Sequence, residues 1–134
     1  MIQAEKYLLL KDLCARLPYG VKGNYQNSDD ELLRKVTIMY RYLEPDGLVM
    51  TGDIKPYLFP LSSMTVEQRC KVQNLLPNNC EISFKNQKIT FYDEGNIQLE
   101  QLEKIFNFFN LFHFDYRGLI EKGLAIDATG LNIY

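Results

Sequence analysis

Apolar residues recur at helical spacing near both ends of the chain. In the first such segment the apolar stripe is Leu9, Leu10, Leu13, Cys14 and Leu17. Lys11, Asp12 and Arg16 fall on the other face, which predicts that they point to solvent. Pro18 and Gly20 predict the end of this helix, because proline keeps the preceding residue out of the α region and glycine permits a turn.

The second segment predicts a long helix that Asn96 can cap. Its polar face carries Glu100, Glu103 and Lys104. Its predicted buried stripe is Leu99, Leu102, Ile105, Phe106, Phe109 and Phe112. This helix delivers the chain into the stretch HFDYRG at residues 113–118.

Capping boxes indicate two further helix starts, because a Ser or Thr followed three residues later by Glu or Gln satisfies orphan N–H groups reciprocally. Thr65 and Gln68 predict a helix of about three turns. Ser28 and Glu31 fit a short helix, although the preceding VKGNYQ equally suits a strand that runs into an acidic loop.

Alternation with a period of two predicts two β-hairpins. In the first, residues 36–42 form a strand, EPDG at 44–47 forms a type I turn, and 48–53 form the returning strand. The second hairpin covers residues 80–95 and turns at 86–87. Its apolar positions are Ile82, Phe84, Ile89 and Phe91.

The stretch KPYLFP at residues 55–60 carries two prolines, which predicts an extended segment that cannot be an interior strand. Two interpretations stay open. It is either a docking edge, with Lys55 and Tyr57 available to a partner, or a crossover in which Tyr57 and Phe59 pack inward while the prolines prevent edge pairing.

Together these elements predict a single α+β domain over residues 1–134, with antiparallel hairpins packed against about three helices. The hairpins either share one open sheet or close into a small barrel. A length of 134 residues suits one domain. The content of 46% hydrophobic and 24% charged residues is typical of a globular chain and argues against disorder.

Charge and cysteine content bear on the class of ligand and on the cellular compartment that the sequence predicts. The net charge is −2, and the 15 Lys and Arg residues are scattered, so no concentrated basic surface favours nucleic acid as the main ligand. Three distant cysteines without a secretory signal predict free, mostly buried thiols in the cytoplasm. No apolar run approaches the ~20 residues of a membrane span, so no membrane association is expected.

The single histidine limits the chemistry. One His can form neither a catalytic zinc site with several His ligands nor a facial iron triad. Cys14, Cys70, Cys80 and His113 have the right number of ligands for a metal, but no two have the short spacing typical of such sites. No metal or cofactor is therefore predicted. A catalytic triad that includes His113 stays open, because its members meet in space rather than in sequence.

HFDYRG itself has two interpretations. In the structural one, Phe112 and Phe114 complete the core, His113 gains from the helix dipole, Asp115 starts a turn and Gly118 supplies its backbone freedom. In the functional one, an exposed Tyr116–Arg117 pair, beside His113 and Asp115, anchors a partner, since Tyr and Arg are enriched at binding hot spots.

Three stretches together carry a resemblance to a known family: LLLKDLCARLPYGV at 8–21, IKPYLFPLSSMT at 54–65 and HFDYRGLIEKGLA at 113–125. Their order and spacing resemble small uncharacterised proteins of phages, prophages and mobile elements of Bacteroides-type gut bacteria. The resemblance implies a small accessory protein in the host cytoplasm. It supplies no catalytic residue or cofactor.

These observations favour a non-enzymatic binding or adaptor protein whose partner is another protein or a second copy of this chain. The alternative is a small-ligand protein that binds or sequesters a nucleotide, with Tyr and Phe for stacking and Lys55 or Arg117 for phosphate. A third hypothesis is a small enzyme that uses His113.

Overall fold

The computed structural model describes residues 1–26, 30–77, 80–93 and 97–134. Within these ranges the helices are α1 (Gln3–Arg16), α2 (Val66–Asn74) and α3 (Leu99–Leu111). The strands are β1 (Lys22–Tyr25), β2 (Val36–Thr37), β3 (Ile54–Pro60), β4 (Cys80–Ser83), β5 (Thr90–Asp93), β6 (Phe114–Asp115) and β7 (Ile126–Asp127). The α+β fold class is confirmed.

The main sheet is built around β3. On it, β1 pairs antiparallel and carries β2 at its outer side, while β6 and β7 pair with β3 in parallel. The second sheet is the β4–β5 hairpin. The main sheet is not closed into a barrel, and the β4–β5 hairpin forms a sheet of its own, so the two predicted hairpins do not share one sheet among the described residues.

The prediction that KPYLFP cannot be an interior strand was wrong, since β3 is the centre of the sheet. Backbone groups alternate between the two edges of a strand. The Phe59 N–H donates to the His113 carbonyl on the β6 side, and the Leu58 carbonyl accepts from the residue after β7 on the other side. Pro56 and Pro60 share the edge of Leu58, where β7 pairs only with Tyr57 and Leu58 and with neither proline. No ladder N–H is therefore required at either proline.

The predicted first hairpin was also wrong. Its turn exists, because the Gly47 N–H donates to the Glu44 carbonyl at 2.8 Å. The flanking residues are not strands, however: Tyr40–Leu43 is a 3-10 helix, and turns follow Gly47. Met39 and Tyr40 are both exposed, so the apparent alternation does not persist in the fold.

The second hairpin and the middle helix were predicted correctly. In the hairpin, Ile82 lies opposite Phe91, and a 3-10 turn at Lys85–Gln87 joins the strands. The capping box of Thr65 and Gln68 is formed, with bonds of 2.8 and 3.1 Å. VKGNYQ contains β1, and Asp30 caps the short 3-10 helix that begins at Glu31. The predicted caps Ser28 and Asn96 lie outside the described residues.

Two larger hydrophobic clusters hold these elements together. One joins α1 to the main sheet, and its buried residues are Leu9, Leu13, Val21, Ile38, Leu43, Val49, Met50, Ile54, Leu58, Leu119, Leu124 and Ala125. The other joins α2, α3 and the hairpin, and its buried residues are Leu61, Met64, Val72, Leu76, Cys80, Ile105, Phe109 and Phe114. The predicted stripe of α3 holds at its centre, but its two ends, Leu99 and Phe112, are exposed.

Two further predictions require correction. Asp12 and Arg16 do not point to solvent: both are fully buried, where α1 packs against the C-terminal part of the chain. The thiols are not mostly buried either. Cys14 and Cys70 are exposed and Cys80 alone of the three is buried.

Candidate functional site

HFDYRG lies where α1, α3 and the main sheet meet. Helix α3 ends because His113 adopts a left-handed backbone conformation with φ 61°. The next two residues form β6, which pairs with the end of β3. Phe114 is buried in the core, as predicted, whereas Phe112 is 39% exposed. The stretch is thus a helix end folded back onto the core.

Asp115 organises the loop that follows. Its buried carboxylate accepts hydrogen bonds from the backbone N–H groups of Leu119 and Ile120, both at 2.9 Å. Gly118, with φ 74°, supplies the left-handed conformation that this turn needs. The predicted turn role of both residues is confirmed, and it occupies both oxygens of the Asp115 carboxylate.

Beneath this loop lies a buried cluster of charges that the sequence interpretation missed. Arg16 donates to Asp12 at 2.7 and 3.2 Å and to the Phe114 carbonyl at 2.6 Å. Arg117 Nε lies 3.2 Å from Asp12 Oδ1, although its N–H is not aligned for a hydrogen bond. Two guanidinium groups therefore share one carboxylate, and Arg16 Nη1 finds no partner among the described residues.

Both guanidinium groups lie over the ring of Tyr116. The Cζ atoms of Arg16 and Arg117 are 5.2 and 5.0 Å from the centroid of its ring. Its hydroxyl donates to Asn110 on α3 at 2.9 Å, and its ring contacts Phe106. Tyr116 and Arg117 are thus half-buried, not the freely exposed pair expected. Cation–π contacts and hydrogen bonds fix both side chains in one orientation.

The outer faces of Tyr116 and Arg117 line an open groove of about 870 Å³, which we call the Arg117 groove. One wall is the hairpin and the other is the loop after β6. The lining residues are Gln87, Lys88, Ile89, Phe91, Phe106, Tyr116, Arg117, Gly118, Glu121 and Lys122. Three cationic side chains and one acidic side chain surround an aromatic floor. The groove is therefore locally basic on a chain whose net charge is −2.

His113 faces a different cavity of about 380 Å³. Its ring stacks on Tyr134 with centroids 3.7 Å apart, and its Nδ1 is buried without a partner among the described residues. Burial, followed by the charges of Arg16 and Lys22, lowers the pKa of His113 from 6.5 to about 4. The expected gain from the helix dipole requires a charged imidazole, so burial outweighs it.

Tyr134 closes this cavity from the C-terminal end of the chain. Its hydroxyl donates to the Tyr57 carbonyl at 2.7 Å and accepts from the Lys22 N–H at 2.9 Å. Burial raises the pKa of Tyr134 to about 12. The sequence interpretation missed this contact, because nothing local marks the last residue as a partner of His113.

The remaining predicted interaction residues lie elsewhere. Lys55 and Tyr57 are on β3; Tyr57 is buried and Lys55 is half-buried opposite Asn24 of β1. The inward packing of Tyr57 is confirmed, and burial raises its pKa. Neither residue lines the Arg117 groove or the His113 cavity. The candidates from KPYLFP and those from HFDYRG thus do not form one site.

Across the described ranges, no three His, Cys, Asp or Glu side chains are arranged to hold a metal ion. Among the same residues, no helix has both the length and the apolar character to cross a membrane. The chain matches no family model, no curated protein and no solved structure.

Proposed function

We propose that this protein is a non-enzymatic protein-binding module that holds an acidic segment of a partner protein in the Arg117 groove. The observation that carries the proposal is the local reversal of charge around an aromatic floor. Lys88, Arg117 and Lys122 line the groove against one acid, Glu121. Complementary charge of this kind favours and steers an acidic partner.

The rigidity of the floor supports this role. Tyr116 and Arg117 are held by Asn110 and Asp12, so their side-chain entropy has already been lost before a partner binds. A groove open along its length suits an extended segment better than a small molecule, since small-molecule sites bury most of the ligand surface.

The contacts of Tyr116 with Asn110 and of Arg117 with Asp12 make these two side chains poor probes of the groove. Substitution of Tyr116 or Arg117 would disturb the buried cluster as well as the groove. Lys88 and Lys122 are the better probes, because both are exposed and line the groove. We expect Lys88→Glu and Lys122→Glu to weaken binding of an acidic eight-residue peptide by about fivefold each at low salt.

Lys11→Glu is the matched control. Lys11 is an exposed lysine on α1 that does not line the groove, and its substitution changes the net charge by the same amount. Affinities measured by fluorescence anisotropy should rise with the number of acidic residues in the peptide and fall with added salt. Equal losses in the control and the groove variants would refute the proposal.

A small anionic ligand is the second candidate function, favoured by the aromatic rings beside Arg117. A nucleotide would stack on Tyr116 and place its phosphates near the lysines. Thermal-shift measurements with purine nucleotides test this, because a ligand of the folded state raises Tm. If a nucleotide raises Tm and the increase is lost in Lys88→Glu and Lys122→Glu, the ligand of the groove is a nucleotide rather than a partner protein.

The other expectations have less support. The hypothesis of an enzyme that uses His113 has less support, because no hydrogen bond joins His113 to a Ser, Thr or Cys side chain within the described residues. The role of a phage or mobile-element accessory protein in a host cytoplasm stays a prediction that rests on the three sequence stretches.

A further inference from the structure

The hairpin wall of the Arg117 groove has one closed edge and one open edge. On the outer side of β4, the Gln73 side chain donates to the Cys80 carbonyl at 2.7 Å and accepts from the Ile82 N–H at 3.3 Å. Gln73 therefore occupies the position that a neighbouring strand would take. The outer edge of β4 is closed by a side chain from α2.

These two bonds also fix the direction of every backbone group in the hairpin. Because Cys80 and Ile82 point away from β5, the residues that bond across the hairpin are Glu81 and Ser83. Their partners in the register are Tyr92 and Thr90. The backbone groups of Phe91 consequently point outward, to the free edge of β5.

This free edge faces the Arg117 groove. Lys88 and Ile89, which lead into β5, line the groove, whereas no residue of β4 does, so the groove lies on the β5 side of the hairpin. Phe91 lines it as well. In the described part of the chain, no strand pairs with this side of β5.

From this geometry we propose that the acidic partner segment binds as an added β-strand along β5. The inference rests on the proposed function and specifies its binding mode. Strand addition to an exposed edge supplies affinity through main-chain hydrogen bonds and specificity through alternate side chains. The partner strand would lie about 4.8 Å from β5, between the hairpin and the loop that carries Arg117.

The two faces of the hairpin define the partner sequence. Along residues 88–92 exposed positions alternate with the half-buried Ile89 and Phe91, which pack against the same hydrophobic cluster as Phe106 and Tyr116. The added strand shares this alternation, so its apolar residues cover the aromatic floor and its acidic residues meet Lys88. The segment alternates acidic and apolar residues.

The test uses the full chain and an eight-residue peptide that alternates Glu and Val. In the free protein, amide hydrogen exchange measured by NMR should be fast at Phe91 and slower at Tyr92, whose N–H bonds within the hairpin. Saturating peptide should slow exchange at Phe91 by at least tenfold, because its N–H gains a partner.

A pair of variants provides the second measurement. Phe91→Ala and Phe91→Pro both remove the ring, but only the proline variant also removes the outward N–H. An edge strand tolerates a proline at such a position. We expect Phe91→Pro to bind the peptide about two- to tenfold more weakly than Phe91→Ala. Thr90→Pro, which removes an inward N–H, should instead disrupt the hairpin in the NMR spectrum.

The outcomes separate the two proposals. Strand addition is overturned, and the proposed function stays intact, if binding depends on Lys88 and Lys122 but peptide does not slow exchange at Phe91 and the two Phe91 variants bind equally well. Absence of lysine-dependent binding overturns both. Protection at Phe91 that rises with protein concentration without peptide identifies a second copy as the occupant and overturns the acidic partner.

Discussion

Removal of the Asp12 carboxylate tests the buried charge cluster most directly. Asp12→Asn keeps the shape of the side chain but leaves Arg16 and Arg117 without their shared anion. Both members of the Asp12–Arg16 pair are 0% exposed. Loss of one partner from a buried ion pair costs about 3–5 kcal/mol, because the remaining charge stays buried and uncompensated.

The hydrogen bonds give a similar magnitude. Arg16 donates twice to Asp12, at 2.7 and 3.2 Å, and each bond to a charged group contributes about 1.5–3 kcal/mol. Urea unfolding should therefore show a loss of about 3–5 kcal/mol, which lowers Tm by roughly 10–15 °C for a domain of this size.

The chain contains a matched control on its surface. Glu100 and Lys104 have the same i, i+4 spacing and the same order of charges, at 3.4 Å, but their side chains are 78% and 58% exposed. Glu100→Gln should cost only a few tenths of a kcal/mol. Similar losses for Asp12→Asn and Glu100→Gln would refute a buried role for Asp12. Arg16→Met should partly rescue Asp12→Leu, since it removes the fully buried one of the two charges that lose their anion.

Two further predictions concern single sites. Because the folded-state pKa of His113 lies below its usual value, the unfolded chain binds the proton first as pH falls from 6.5 towards 4, and stability is lost in that window. Between pH 7 and pH 5 the free energy of unfolding of the unmodified protein should fall by about 2 kcal/mol more than that of His113→Asn. Asparagine is the control because it accepts the left-handed backbone conformation at this position. Equal pH dependence of the two proteins would show that His113 titrates normally. Gly47→Ala should destabilise by about 1–3 kcal/mol in urea unfolding, since a Cβ there overlaps the Tyr42 backbone carbonyl, and a change within 0.5 kcal/mol would mean that this turn yields easily.

Part of the candidate site could be predicted from the residues alone. The turn at Asp115 and Gly118 and the inward packing of Phe114 follow from local chemistry, because a carboxylate bonds nearby N–H groups and glycine accepts a positive φ. The exposure of Tyr116 and Arg117 could not be predicted. It depends on Asp12 and Asn110, which reach them from two helices.

The sequence by itself determined features whose causes lie within a few residues. The capping box at Thr65, the end of α1 at Pro18 and the hairpin around residues 85–87 each depend on neighbours along the chain. Their side chains and backbone groups satisfy one another at short range. Such elements form in the same way whatever lies across the fold.

Only the tertiary structure decided which of these elements meet. It placed a proline-containing strand at the centre of the sheet, because the short β7 does not require a hydrogen-bond donor at either proline. It also buried Asp12 and Arg16, whose i, i+4 spacing is equally typical of an exposed helix face. Pairing edges and burial depend on residues far apart in the chain, and hydrophobic periodicity reports only which face of an element is apolar.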